Sequence, residues 1–354
     1  MNIQVNTQEE MTYDLAIDAM GGDNAPDIVI KGLDATALRH SNVKVLLIGD
    51  EAKIAPLLKQ YPRVAEICTI RHTSVSVPMD MKPTAALKLR DSSLRMAMES
   101  VAQKESKGVV SAGNSGAMLA LAQIIVKTMP GIARPAMAAI SPTAKGDVVM
   151  LDLGANVVCD CRNLVDFAIM GNAFAKAVLG LRHPTIGLLN VGSEELKGDE
   201  RLRAAADVLR NSPLSDQFHG FIEGHDITAG TTDIIVTDGF TGNVALKTGE
   251  GALKLVFHLL KQVYTSGLRG KLGYLMVRPG LERMKEWLDP RRYNGAVFVG
   301  LNGVVVKSHG GADEVGFAYA VDVAMDMITH GFYEEILTGL SQVNPAENAV
   351  MPKK

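Results

Sequence analysis

Short runs of consecutive apolar residues alternate along the chain with longer stretches whose apolar positions recur at helical spacing. The runs are TYDLAID, VKVLLIG, GVVSA, DVVMLDL, PTIGLLN, TDIIVTD and GVVVK. The helical stretches between and beyond them cover residues 28–40, 84–104, 115–129, 164–179, 199–211 and 244–264. A strand buried on both faces reads as an unbroken apolar run, and helices cover those faces. The pattern therefore predicts an α/β fold: three α/β/α layers around a mainly parallel sheet. No linker interrupts it, so residues 12–343 read as one catalytic unit, with two intertwined lobes dividing near residue 145. The polar segments 1–11 and 344–354 read as a flexible N-terminus and a loose tail.

Composition narrows the function classes. Apolar residues make up 47% of the 354, ample for a large core. A net charge of −3 gives no basic field for nucleic acid. Cys68, Cys159 and Cys161 are too few for a disulfide framework and point to reduced thiols in a cytoplasm. No apolar signal core opens the chain, and no uncharged apolar run reaches the ~18 residues that a spanning helix needs.

Candidate chemistry lies where the predicted strands end. Ligands of open α/β sheets sit beyond the carboxyl ends of the strands, and glycine-bearing turns stand at five such places: AMGGDN, SAGNSGA, DLGAN, NVGSEELKG and TDGFTGN. Glycine lets backbone amides approach a ligand, and amides with a helix start behind them suit an anion. Together the five turns predict one composite polar pocket. Neither a P-loop nor a G-x-G-x-x-G fingerprint occurs, and no metal-ligand spacing is present. GNSGA, residues 113–117, allows three readings: an anion cradle, a nucleophile elbow around Ser115 with Asp238 and His309 in the right chain order, or an ordinary capped helix.

The ordered set LAIDAMGGDNAP, SAGNSGAMLA, LDLGAN, NVGSEELKG, TDGFTGNVALKTGEG and GLNGVVVKSHGGAD, spanning residues 15 to about 325, resembles the PlsX family of phosphate acyltransferases. The resemblance implies transfer of a fatty acyl group from acyl carrier protein to inorganic phosphate, giving acyl phosphate for phospholipid synthesis. It also implies a fold like those of phosphotransacetylases and isocitrate/isopropylmalate-type dehydrogenases. No cofactor or metal is implied. A homodimer is, along with peripheral contact with an anionic membrane and a downstream glycerol-3-phosphate acyltransferase. The chain departs from the family's usual pattern at MDMKP, residues 79–83, and at Val158 to Arg162, so those positions receive no catalytic role.

Phosphate is already a nucleophile and mainly has to be held against the thioester, while the carbonyl oxygen needs preorganised donors. On that chemistry Asn114, Ser115, Lys307, His309 and Asp238 are the candidate catalytic residues. Gly21, Gly22, Asp23, Asn24, Gly113, Gly116, Asn156, Asn243, Lys247 and Ser308 are the candidate binding residues. Asp18 reads as a buried carboxylate bracing the first turn, and Asp238 could equally cap the helix that follows it. The rival enzyme reading is a serine thioesterase using Ser115. Residues 267–292 carry seven Lys or Arg against three Asp or Glu, interleaved with apolar side chains. They predict two short amphipathic helices broken at Pro279. Leu272, Leu275, Met276 and Arg278 are the candidate contacts to membrane or carrier, with a dimer interface as the alternative.

Overall fold

The computed structural model describes residues 12–40 and 42–343. Its strands are β1 (Tyr13–Asp18), β2 (Val45–Gly49), β3 (Cys68–His72), β4 (Ser106–Ser111), β5 (Ala136–Thr143), β6 (Gly146–Leu151), β7 (Ile186–Leu189), β8 (Phe218–Ile222), β9 (Ile234–Val236), β10 (Ala296–Val299) and β11 (Val304–Lys307). Its helices are α1 (Asp27–Arg39), α2 (Glu51–Leu58), α3 (Pro62–Ile67), α4 (Pro83–Ala86), α5 (Ser93–Ala102), α6 (Ser115–Leu121), α7 (Cys161–Leu179), α8 (Glu200–Arg210), α9 (Asp226–Ala229), α10 (Gly239–Thr265), α11 (Gly267–Trp287), α12 (Glu314–Thr329) and α13 (Phe332–Val343). A π-helical segment, Ala122–Val126, continues α6.

The chain divides into two compact units: residues up to Thr128 with Leu301–His330, and Met129–Gly300 with the residues from Gly331 on. Residue 145, where the sequence hints at a division, lies in the turn between β5 and β6, inside the second unit. The polar ends assigned to 1–11 and 344–354 lie outside the described residues.

In the first unit the strand order is β3-β2-β1-β4-β11, parallel throughout. The central strands carry apolar stretches, residues 15–17 in β1, 109–110 in β4 and 304–306 in β11, and β2 is buried along its whole length. Helices α1 and α12 pack together on this sheet at close range. A Cβ on Gly32 would stand 2.9 Å from the Phe317 ring, so glycine sets that approach.

In the second unit the order is β10-β5-β6-β9-β7-β8, with β5 antiparallel to both neighbours and the rest parallel. Helix α7 is apolar nearly all round and runs through this core. Asp160 and Asn163 form a capping box at its start, and Gly180 ends it in the left-handed conformation. Phe174 of α7 meets Phe332 of α13 edge to face at 6.3 Å. Each such buried ring contributes about 1.5–3 kcal/mol of burial.

All seven predicted strands are present. The four that the pattern lacked have physical reasons. β3 and β8 are the outermost strands of their units and alternate in burial. β5 is rich in alanine and carries Pro142, and β10 is a four-residue run closed at both ends by glycines of positive φ, Gly295 and Gly300. Segment 84–104 splits into α4 and α5 because Ser92 accepts from the Arg95 amide and starts a new helix. Residues 267–287 form one helix through Pro279 rather than two. The missing proline N–H removes one backbone bond, while the Arg278–Glu282 pair at 2.7 Å bridges the site one turn on and α11 leans on α10.

Candidate active site

In the first unit, β1, β4 and β11 lie side by side and their carboxyl ends bring three turns together. Asp18, the last residue of β1, is buried. It accepts from the Met20 amide at 3.2 Å and from the Ser111 hydroxyl at 2.7 Å. The Ser111 hydroxyl in turn accepts from the Gly113 amide at 3.0 Å. A Cβ on Gly21 would lie 2.6 Å from Asp18 Oδ2 and 2.7 Å from both Ser111 Oγ and the Gly113 nitrogen, so only glycine fits there. Gly22 has φ +105°, and the Asp23 amide donates to the Gly310 carbonyl at 2.9 Å. The three turns thus lock onto one another through backbone and buried hydroxyl. Burial raises the Asp18 carboxyl above its ordinary range, opposed by its hydrogen bonds.

Lys307 closes β11 opposite Ser111. Its side chain is buried, and its ammonium donates to the carbonyls of Ala112, at 3.4 Å, and Ser308. Burial lowers its pKa to about 8, while the charges of Asp23 and Asp18 pull the other way. It is therefore a largely protonated cation at neutral pH that sits on the edge of titrating. Ser308 is fully buried, and His309 is exposed, accepting from the Gly311 amide through Nδ1 at 3.1 Å.

Asn114 is the N-cap of α6. Its Oδ1 accepts from the Ala117 amide at 2.9 Å, while its Nδ2 donates to the carbonyls of Met79 and Met81 at 2.7 and 2.9 Å. The side chain is engaged as a clamp that holds residues 79–83 against the helix start. The Gly113 amide is taken by the Ser111 hydroxyl. What the turn leaves exposed are Ser115 and Gly116, the first two residues of α6. Among the described residues no histidine or carboxylate hydrogen-bonds the Ser115 hydroxyl. Gly116 also sits against Pro83 of α4, where a Cβ would come within 3.0 Å of the ring. Asp23 and Asn24 are exposed on the neighbouring turn.

In the second unit, the remaining three glycine turns gather beyond β6, β7 and β9. Buried Asp152 accepts from the amides of Met137, Gly154, Ala155 and Asn156 and from Asn156 Nδ2, at 2.6–3.2 Å. Asn156 also donates to the Pro135 carbonyl at 2.7 Å, and its own carbonyl receives the Gly239 amide at 2.7 Å. Both nitrogens of Asn156 thus brace the turn. Asp238 is the N-cap of α10, accepting from the Thr241 amide and hydroxyl at 2.9 and 3.1 Å. Of its two sequence readings the capping one matches this geometry. Lys247 is exposed and pairs with Glu250 at 2.9 Å. Asn243 is exposed on α10 and faces Gly154.

Beside these turns opens a cleft of about 530 Å³. Leu164, Leu189 and Leu202 and the Cys159 thiol line it, with Arg201 and Asn190 among its polar walls. Arg201 donates to Asp199 and, at 2.7 Å, to the Cys159 carbonyl. Burial pushes the Cys159 thiol up to about 11, so it is no ready nucleophile. Ser111 and Arg201 were not singled out from the sequence. A serine ending an apolar strand was the available signal for the first; Arg201 lay unmarked inside an amphipathic helix.

The paired helices α10 and α11 carry the basic, apolar element. Leu272, Leu275 and Met276 are exposed, as are Leu255, Val256 and Leu259 on α10, and Arg278 is held by Glu282. Among the described residues no helix is long and apolar enough to cross a membrane, and no cluster of His, Cys, Asp and Glu could hold a metal ion.

Residues 13–335 match a family described as fatty acid synthesis protein. The chain is 73% identical over 332 residues to a phosphate acyltransferase of Gluconacetobacter diazotrophicus, covering 94% of this chain and 89% of the relative. It is 70% identical over 331 residues to a phosphate acyltransferase of Gluconobacter oxydans, covering 94% and 90%. Among solved structures it resembles a phosphotransacetylase from Streptococcus pyogenes, with a TM-score of 0.61 at 15% identity over 90% of this chain and 94% of that one. At that identity the likeness speaks to the fold. With the family match spanning nearly the whole chain, the protein belongs to the fatty acid synthesis protein family, the PlsX family of phosphate acyltransferases.

Proposed function

We propose that this protein transfers a fatty acyl group from the thioester of acyl carrier protein to inorganic phosphate, for phospholipid synthesis. The observation that carries the site assignment is the buried cation Lys307 beside the exposed start of α6 in a cluster of interlocked turns. A phosphate oxygen adds to the thioester carbonyl carbon. The C–S bond then breaks, and the carrier leaves as a thiolate that takes up the proton phosphate carried. The products are acyl phosphate and free carrier thiol, and no covalent enzyme intermediate or cofactor is needed. Lys307 supplies charge, the amides of Ser115 and Gly116 supply donors, and Gly21 and Gly22 let the first turn close under them. Asp23, Asn24, Ser308 and His309 complete the polar surround, with Asp18 and Asn114 acting through the groups they hold.

The serine thioesterase reading is disfavoured because no base among the described residues hydrogen-bonds Ser115 and Asp238 is engaged with Thr241. The exposed apolar face of α10 and α11 supports a role in contacting a second copy of the chain, the acidic carrier or an anionic lipid surface, with a cytoplasmic, peripherally membrane-associated enzyme as the result. The acyl phosphate would pass to a glycerol-3-phosphate acyltransferase. Purified protein given acyl carrier substrate, with phosphate present or omitted, tests the reading. Acyl phosphate, trapped as its hydroxamate, is expected only with phosphate. Carrier release at the same rate without phosphate would indicate a hydrolase instead.

A further inference from the structure

Between β3 and α5 the chain leaves the sheet of the first unit and returns to it. Residues 76–91 form this excursion, and its two ends are fastened together. Val75 bridges to Ser92, the Ser93 amide donates to the Val75 carbonyl at 2.9 Å, and the Thr73 hydroxyl donates to the Asp91 carbonyl at 2.6 Å. Its middle is fastened to the start of α6 and to the turn after β11. Asn114 holds the carbonyls of Met79 and Met81, the Pro83 ring lies against Gly116, and a Cβ on Gly310 would stand 2.6 Å from Met79 Cε. A surface loop held at base and middle presents its side chains in a fixed arrangement.

What it presents is cationic. Lys82, Lys88 and Arg90 are exposed, and none of the three makes an ion pair among the described residues. The other described arginines of this unit differ: Arg39, Arg63, Arg71 and Arg95 each meet a carboxylate at 2.7 Å or less. Asp80 and Asp91 are exposed on the same loop and pair with none of its cations. Met79 adds an apolar side chain, 42% exposed. Unpaired cations around an apolar spot, on a rigid loop, fit an acidic protein face. The loop also adjoins Ser115 and Gly116, the donors assigned to phosphate, so a carrier seated on it brings its thioester arm to those turns within the first unit.

We propose that residues 76–91 are the docking surface for acyl carrier protein, with Lys82, Lys88 and Arg90 meeting its acidic face. The proposal rests on the acyl-transfer reading and adds to it the place where the donor protein is recognised.

The test compares wild type with the triple variant Lys82→Glu, Lys88→Glu and Arg90→Glu on two donors of the same acyl group: acyl carrier protein, and a pantetheine thioester without the protein. For the carrier, kcat/KM at low salt should fall about tenfold or more in the variant, chiefly through KM. For the pantetheine thioester, and in KM for phosphate, the variant should match the wild type. Wild-type kcat/KM for the carrier should decline as salt rises, and the variant should lack that decline. Should the triple variant fail to fold, judged by thermal melting, Arg90→Glu is read in its place, and the ratio of carrier to thioester kcat/KM should still fall. A folded variant with the wild-type ratio and salt dependence overturns the docking assignment. So does one whose only defect is weaker flotation on phosphatidylglycerol vesicles, which would make the loop a lipid contact. A wild type that forms no acyl phosphate from either donor overturns the acyl-transfer reading instead. Fluorescence anisotropy of labelled carrier, expected to show weaker binding to the variant than to wild type, then still decides the docking surface.

Discussion

The two units each gather three glycine turns at strand ends, yet they use them differently. In the first unit the turns interlock and bury a cation whose hydrogen-bond partners among the described residues are carbonyl oxygens. In the second they are braced around a buried anion, Asp152, which is saturated with donors, and they leave an apolar-floored cleft alongside. Burial disfavours the charged form in both cases, lowering Lys307 and raising Asp152. Asp152 is compensated by a shell of amides; Lys307 is not compensated by a neighbouring carboxylate hydrogen bond. An under-compensated buried charge is poorly explained by stability and well explained by a ligand of opposite charge.

The largest expected effect follows from that asymmetry. Lys307→Met should lower kcat about 10²–10³-fold, measured as acyl phosphate formation, while its melting temperature holds or rises because a buried charge is gone. Asp152→Ala should do the reverse. It removes the acceptor of four backbone amides, one of them on buried Asn156, so denaturant melts should show a loss of about 3 kcal/mol, and any fall in activity should track the folded fraction.

Next in size is Asn114→Ala. Losing the cap and the clamp on residues 79–83 should reduce kcat about tenfold with about 1 kcal/mol of stability lost. A fall confined to stability would reduce Asn114 to a helix cap.

The pH dependence sharpens the same contrast. The Lys307 cation is present below about 8, so kcat should decline as pH rises through that value, and Lys307→Arg should abolish the decline. Stability should move the other way. Between the folded value near 8 and the unfolded value of 10.5 the unfolded chain holds more protons, so this group's contribution rises with pH across that window. A stability contribution that falls there would mean that Lys307 is stabilised rather than penalised by its site.

Smallest of all is Lys247→Ala. The exposed pair with Glu250 is screened by water, and kcat should stay within about twofold.

Sequence pattern made the framework legible because strands buried on both faces have no choice but to be continuously apolar. It failed at β3 and β8, which are half-exposed, and at β5, where alanines and Pro142 mute the signal. The turns were visible as glycine clusters, and the tight contacts at Gly21 and Gly32 show why glycine stands at two such places. What could not be read was which polar groups remain available. Asn114, Asn156 and Asp238 have the chemistry of ligands, and each is engaged by backbone or by a hydroxyl from its own neighbourhood. Nor could the sequence show that the turns divide between two units, since strand order is set by crossovers far apart in the chain.

The central claim is that phosphate is bound beside Lys307 and attacks the thioester itself. Phosphate saturation of acyl phosphate formation, compared between wild type and Lys307→Met at a fixed level of acyl carrier donor, addresses it most directly. The wild type should saturate with phosphate, and the variant should show a large loss in kcat/KM for phosphate while its fold stays intact. A folded Lys307→Met enzyme with the wild-type phosphate curve would contradict the account.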